Sequence, residues 1–155
     1  EEYDDNGERA IFFARGVLET VKKLRWSPDV IHCQGWMGYI VPLFIKAAYN
    51  SEPAFADTKV VTSVFADGLK KNIGDNFKNC LEFKDVTVDS LSAYKDDFDF
   101  MELGKLAIDN SDAVVEAEEG ANPELIAYAK SKGIPVLAYP GEDYTVAYKK
   151  FYEEL

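Results

Sequence analysis

Arg25-Trp26-Ser27-Pro28-Asp29-Val30-Ile31-His32-Cys33-Gln34-Gly35-Trp36 decides how the rest of this chain is read. Ser27-Pro28 ends a preceding helix, because proline lacks a backbone donor and restricts the residue before it. Val30 to Cys33 is a short apolar run, and Gln34-Gly35 stops it before Trp36 opens another helix. An apolar strand without polar alternation, set between helices, belongs in a parallel sheet buried on both faces. Ligands of open α/β sheets bind outside the carboxyl ends of the strands. Gln34, Gly35 and Trp36 therefore mark the end to inspect.

Upstream, Ile11, Ala14, Leu18 and Val21 recur at three and four residues, with Phe13, Val17 and Leu24 widening the stripe. The pattern predicts a helix over residues 7–25. Asp5 and Glu8 have capping-box spacing, and the acidic residues 1–6 are expected to fray. Downstream, Met37, Ile40, Val41, Phe44, Ile45 and Ala48 form a second helical stripe, with a kink expected at Pro42. Strands are expected near 29–34, 58–65, 112–117 and 134–139, joined by right-handed helical crossovers. Asn122 with Pro123 starts a helix that Gly133 closes. Tyr144, Tyr148, Phe151 and Leu155 make a one-sided helix to the end. No period holds over residues 66–97, which read as short helices in a lid or insertion over the strand ends. The fold class is α/β: a Rossmann-like, doubly wound parallel sheet in one domain over residues 1–155.

A net charge of −11, from 17 basic and 28 acidic residues, argues against a nucleic-acid partner, which needs clustered Lys and Arg. No apolar run approaches the about 18 residues of a spanning helix, and no signal peptide is visible. A cytoplasmic setting without membrane attachment is the expectation. Two cysteines, Cys33 and Cys80, and a single histidine, His32, lack metal-ligand spacing. With no Walker loop or dinucleotide fingerprint either, neither a metal nor another cofactor is expected.

His32 and Cys33 are adjacent, but neighbouring strand residues point to opposite faces, which disfavours a dyad and favours a packed, hydrogen-bonded imidazole. Asp96, Asp97 and Asp99, and Glu116, Glu118 and Glu119, could do acid–base work only if burial split their pKa values; a solvated face is the simpler reading. Trp36 sits at a loop-to-helix junction, where its ring either packs or stacks on a sugar.

Trp26, Pro28, Asp29, Val30, Ile31, His32, Trp36 and Pro42 together resemble the bacterial glycogen and starch synthases, retaining glucosyltransferases of the GT-B fold. That family carries Trp-x-Pro-Asp-Val-(Val or Ile)-His-x-His-Asp-Trp-His, then a proline in the following helix. Lys59-Val60-Val61-Thr62 is similar to its next strand, and Lys105 with Ser111-Asp112-Ala113-Val114 to a later helix and strand. The resemblance implies that this chain corresponds to the latter part of the family's N-terminal domain, the acceptor side of the cleft. It implies α-glucan or ADP-glucose as partners and His32, Gln34, Trp36 and Lys105 as substrate-binding residues. The family's active-site aspartate and histidine are replaced by Gly35 and Val64, and its serine-rich turn by Glu118-Glu119-Gly120. No catalytic residue is therefore carried over, and the isolated chain is expected to be inactive or a non-catalytic glucan- or partner-binding descendant. The strand at Val30 pairs in the family with a strand outside this sequence, so a homodimer through an exposed sheet edge is expected.

Overall fold

A four-stranded, all-parallel sheet in the order β1-β2-β3-β4 forms the centre of the molecule. The computed structural model describes residues 3–74 and 76–155. Glu1 and Glu2, where the expected fraying begins, lie outside them. The strands are β1 Val30–Cys33, β2 Lys59–Val64, β3 Ala113–Glu116 and β4 Val136–Leu137. Helix α1 (Asn6–Lys23) precedes the sheet. A helical segment over residues 36–48, with α2 (Val41–Leu43) at its centre, joins β1 to β2. The one-turn α3 (Phe77–Cys80) and α4 (Phe100–Asp109) precede β3, α5 (Pro123–Ser131) joins β3 to β4, and α6 (Tyr144–Glu153) ends the fold.

The two faces of the sheet are covered unequally. Ile31, Cys33, Val60, Val64, Val114 and Val136 face a large core built from α1, the 36–48 segment, α3, α4 and α5. Val30, Val61, Ala113, Val115 and Leu137 face the other way, onto Tyr148, Phe151, Tyr152 and Leu155 from the C-terminal helix and its end. Among the described residues, the apolar cover of this second face comes from α6 and the residues at its end. Val60, Val61 and Val64 in β2, and Ala113, Val114 and Val115 in β3, are fully buried. Burial on both faces was expected for β1 also, but Val30, Ile31 and His32 are only half-buried. The reason is position: β1 is an edge strand, paired with β2 alone.

Local chemistry sets the element ends. Asp5 does not cap α1 as the spacing suggested; its carboxylate accepts from Arg9 Nε at 2.7 Å instead. At the other end the Trp26 N–H donates to the Val21 carbonyl and the Arg25 N–H to that of Lys22, the paired bonds of a Schellman turn. Arg25 holds the left-handed position, with φ of 54°. Pro42 is accommodated by a change of winding. Residues Trp36–Ile40 form a 3-10 turn, so the Gly38 carbonyl takes the Val41 N–H instead of a donor that proline lacks. Phe44–Ala48 then widen into a π turn closed by Tyr49 N–H to the Phe44 carbonyl. Asn122 caps α5 through the Leu125 N–H at 3.2 Å, with Pro123 in the first turn and Gly133 at φ 72° just past the end.

Residues 66–97 contain the expected short pieces: α3, a 3-10 turn at Asp89–Leu91 and an isolated bridge between Phe83 and Val86. They contribute Ile73, Phe77, Leu81, Val86 and Leu91 to the main core. Approach to α1 is so close that a Cβ on Gly7 would stand 2.9 Å from both the Ile73 carbonyl and the Phe77 ring. No helix among the described residues is long and apolar enough to cross a membrane.

Arg25, like Lys84 at φ 52°, is held in the left-handed region at a local cost, since a Cβ there crowds the carbonyl that follows. Arg25→Gly is expected to raise the free energy of urea unfolding by about 0.5–1 kcal/mol, the residual after glycine's greater unfolded-state freedom. A drop in stability would show that the arginine side chain contributes more than its backbone costs.

Candidate functional site at the carboxyl ends of the strands

β1 ends at Cys33 and the chain turns on Gln34-Gly35 before the 3-10 turn at Trp36. Gly35 has φ 73° and ψ 159°, a combination open in practice only to glycine. Its carbonyl accepts from the Gly38 N–H at 2.9 Å, so the turn is locked to the following helix. A side chain at Gly35 would have open space around it, but this backbone conformation would strain it. Val64, at the position of the family's histidine, is 1% exposed and packed in the main core. The Ala117 N–H donates to its carbonyl at 2.9 Å, continuing the sheet ladder beyond β3.

A cleft of about 510 Å³ opens at these strand ends, within the range of small-molecule sites. Gln34, Ser63, Phe65 and Ala117 line its floor side, and Tyr139, Gly141, Glu142, Tyr144 and Tyr148 line its wall. The wall exists because β4 ends at Leu137, Pro140-Gly141 turns, and α6 starts at Tyr144. Tyr144 and Tyr148 are one helical turn apart, with ring centroids 5.5 Å apart.

His32 lies below this cleft, not in it. Its Nε2 contacts Ser63 Oγ at 2.7 Å and its Nδ1 contacts Tyr152 Oη at 2.5 Å. Both partners are hydroxyls that donate or accept, so either neutral tautomer satisfies both contacts. The rings of Tyr148 and Tyr152 pack against the imidazole at 5.5 and 5.8 Å. Burial lowers its pKa to about 4, because a charged imidazole would be stripped of water there. Cys33 points to the opposite face, into the main core, where burial pushes its thiol up to about 12. The two side chains do not form a dyad.

Of the residues carried over by resemblance, the cleft gathers Gln34 directly and His32 through Ser63. Trp36 is half-buried against the main core and does not line the cleft. Lys105 stands on α4, 3.7 Å from Glu102 and 5.8 Å from the Tyr128 ring centroid, also away from the cleft. The carboxylate clusters serve backbone and cations. Asp99 caps α4 through the Glu102 N–H at 2.8 Å, Asp96 pairs with Lys78 at 2.9 Å, and Asp97 accepts from Asn72. Glu118 accepts from the Ala66 N–H at 2.5 Å and Glu116 from the Tyr139 N–H at 3.4 Å, tying the loops that follow β2 and β4 to the end of β3. The tyrosine wall escaped the sequence reading because Tyr144 and Tyr148 share a stripe with Phe151. Only Phe151 of that stripe is buried, while Tyr144 is 55% exposed. The available signal was Pro140-Gly141, which places Tyr139 and Tyr144 at the carboxyl end of a strand.

Residues 1–134 match a family model described as the starch synthase catalytic domain. A glycogen synthase of Clostridium perfringens is 45% identical over 60 residues, 39% of this chain and 12% of that protein. A glycogen synthase of Chlorobium limicola is 48% identical over 59 residues, 38% of this chain and 12% of that protein. One of Vibrio parahaemolyticus is 44% identical over 62 residues, 40% of this chain and 13% of that protein. The aligned segment therefore spans about an eighth of the length of these curated relatives. No solved structure matches.

The half-buried imidazole is expected to give the fold a pH dependence. Because its folded pKa, about 4, lies below the ordinary 6.5, neutral His32 contributes fully above about pH 6.5. That contribution is lost as pH falls toward 4. The full difference is about 3 kcal/mol at most. His32→Gln keeps hydrogen-bonding capacity and removes the titration. Between pH 6.5 and 4, wild-type stability in urea should fall more steeply than that of His32→Gln. Parallel curves would show that the ring protonates without cost in the fold.

Proposed function

The chain belongs to the starch synthase catalytic-domain family, and from that premise we propose that it is an acceptor-side unit that holds an α-glucan at the strand-end cleft and transfers no glucose by itself. The observation that carries this reading is the make-up of that cleft. It lies at the carboxyl ends of parallel strands, where α/β sheets bind ligands, and joins the exposed, hydrogen-bonding Gln34 to a wall of tyrosines. Gly35 and Val64 support the absence of transfer. Position 35 carries no carboxylate and its backbone would strain any side chain, and position 64 is packed in the main core, where no side chain is accessible. Preorganised charges and donors usually supply the largest share of enzymatic rate.

In this reading the domain is a portion of a GT-B N-terminal domain acting in the cytoplasm, residues 66–97 are an insertion packed on α1, and ADP-glucose is a substrate of the longer family members. Trp36 and Lys105 support the helices beside the cleft instead of touching the sugar. The single-sided pairing of β1 and the neighbouring groove of about 610 Å³, where Phe12, Leu24 and Trp26 are exposed, support a homodimer. An open edge beside exposed apolar rings is what a second copy of the chain would cover. Sedimentation should then give a dimer that Trp26→Asp converts to monomer; a monomeric wild type would remove this part of the proposal.

Incorporation of radiolabelled glucose from ADP-glucose into glycogen tests the main claim. The isolated chain should match its boiled control, while the same preparation retains maltoheptaose in equilibrium dialysis. Turnover above the control would show that chemistry survives without the two family side chains.

A further inference from the structure

We propose that Tyr139, Tyr144 and Tyr148 form a stacking subsite for a neutral sugar ring, and that the cleft they wall excludes a nucleoside diphosphate. The inference rests on the glycan reading above and adds where the ring sits and what the cleft rejects. These tyrosines lie beyond residue 134, where the family match ends, so the wall is not assigned by family membership.

Three observations converge on it. First, the Tyr144 and Tyr139 rings are 55% and 40% exposed and line the cleft. Tyr144 is nonetheless positioned, because its ring leans on Tyr148, and Tyr148 in turn leans on His32, each at 5.5 Å. A ring held in place before binding loses little freedom when a sugar face is laid on it.

Second, the polar groups suit hydroxyls. Gln34 offers a donor and an acceptor and Glu142 an acceptor, both exposed, while the Ser63 hydroxyl is buried on His32.

Third, the electrostatics are wrong for phosphate. No Lys or Arg is among the residues that line the cleft, and Glu142 lines it. The start of α6 would ordinarily attract an anion, but Glu142 and Asp143 immediately precede its first residue. Like charges at close range in a half-enclosed site disfavour a diphosphate.

Ring resonances of tyrosine-labelled protein, titrated with maltoheptaose, cellohexaose and ADP, test this directly. A neutral oligosaccharide should shift the Tyr139 and Tyr144 signals and ADP should move neither. Tyr144→Ala and Tyr139→Ala should each weaken binding about fivefold, the loss of one aromatic contact. Tyr144→Phe, which keeps the ring, should retain affinity. Val146→Ala, exposed on the same helix but outside the cleft, should change nothing. Both alanine variants remove exposed rings, and circular dichroism checks that the fold is kept. Maltoheptaose binding that survives both tyrosine truncations, or is lost only on Trp36→Ala, would overturn the subsite and leave the glucan reading standing. Cellohexaose binding at the tyrosines without maltoheptaose binding would uphold the subsite and overturn the α-glucan reading. Saturable ADP binding in the cleft, or no binding of either oligosaccharide, would overturn the subsite.

Discussion

The central strands β2 and β3 are buried on both sides, and everything else in the molecule follows from covering them. Parallel strands of this kind are stable only between two layers. The strand order runs straight along the chain, and the connecting helices share one face with α1. Only the segment after β4 covers the other. Helix α6 meets that demand by lying across Val61, Ala113 and Val115 with Phe151 as its one buried residue.

That single-helix cover explains the state of His32. The imidazole sits on the thinly covered face, next to the edge strand, and is enclosed by two tyrosine rings instead of a dense aliphatic core. Two hydroxyl partners satisfy its nitrogens, and burial keeps it neutral. The same geometry brings the start of α6 to the carboxyl ends of the strands. A helix recruited to close a core thereby supplies the wall of a cleft.

Gly35 and Val64, the two positions that the resemblance singles out, differ physically. At Gly35 the backbone itself has changed to a form glycine alone adopts readily, so restoring the carboxylate would strain the turn. At Val64 the backbone is an ordinary strand and the side chain has joined the core. Neither position is an accessible polar site. The exposed lining of the cleft comes from Gln34 and from Tyr139, Glu142 and Tyr144, the last three lying outside the family match.

Much of the fold was legible in the residues themselves. Repeats at three and four residues marked α1, β-branched runs marked the strands, and Asn122-Pro123 with Gly133 marked the ends of α5, because each depends on contacts within a few residues. Proline at position 42 was correctly read as a disturbance, although its form, a 3-10 turn followed by a π turn, depends on which carbonyls find donors. The stretch Trp26 to Trp36 also carried the family and the end of the sheet where the cleft opens. Tertiary structure alone decided which face each stripe met. Tyr144, Tyr148 and Phe151 are equivalent by spacing, yet one meets water, one a histidine and one the sheet. Trp36 looked like a sugar platform by its place in the chain, and packing turned it toward the core. Periodicity specifies which residues share a face, while what that face touches depends on strands distant in sequence.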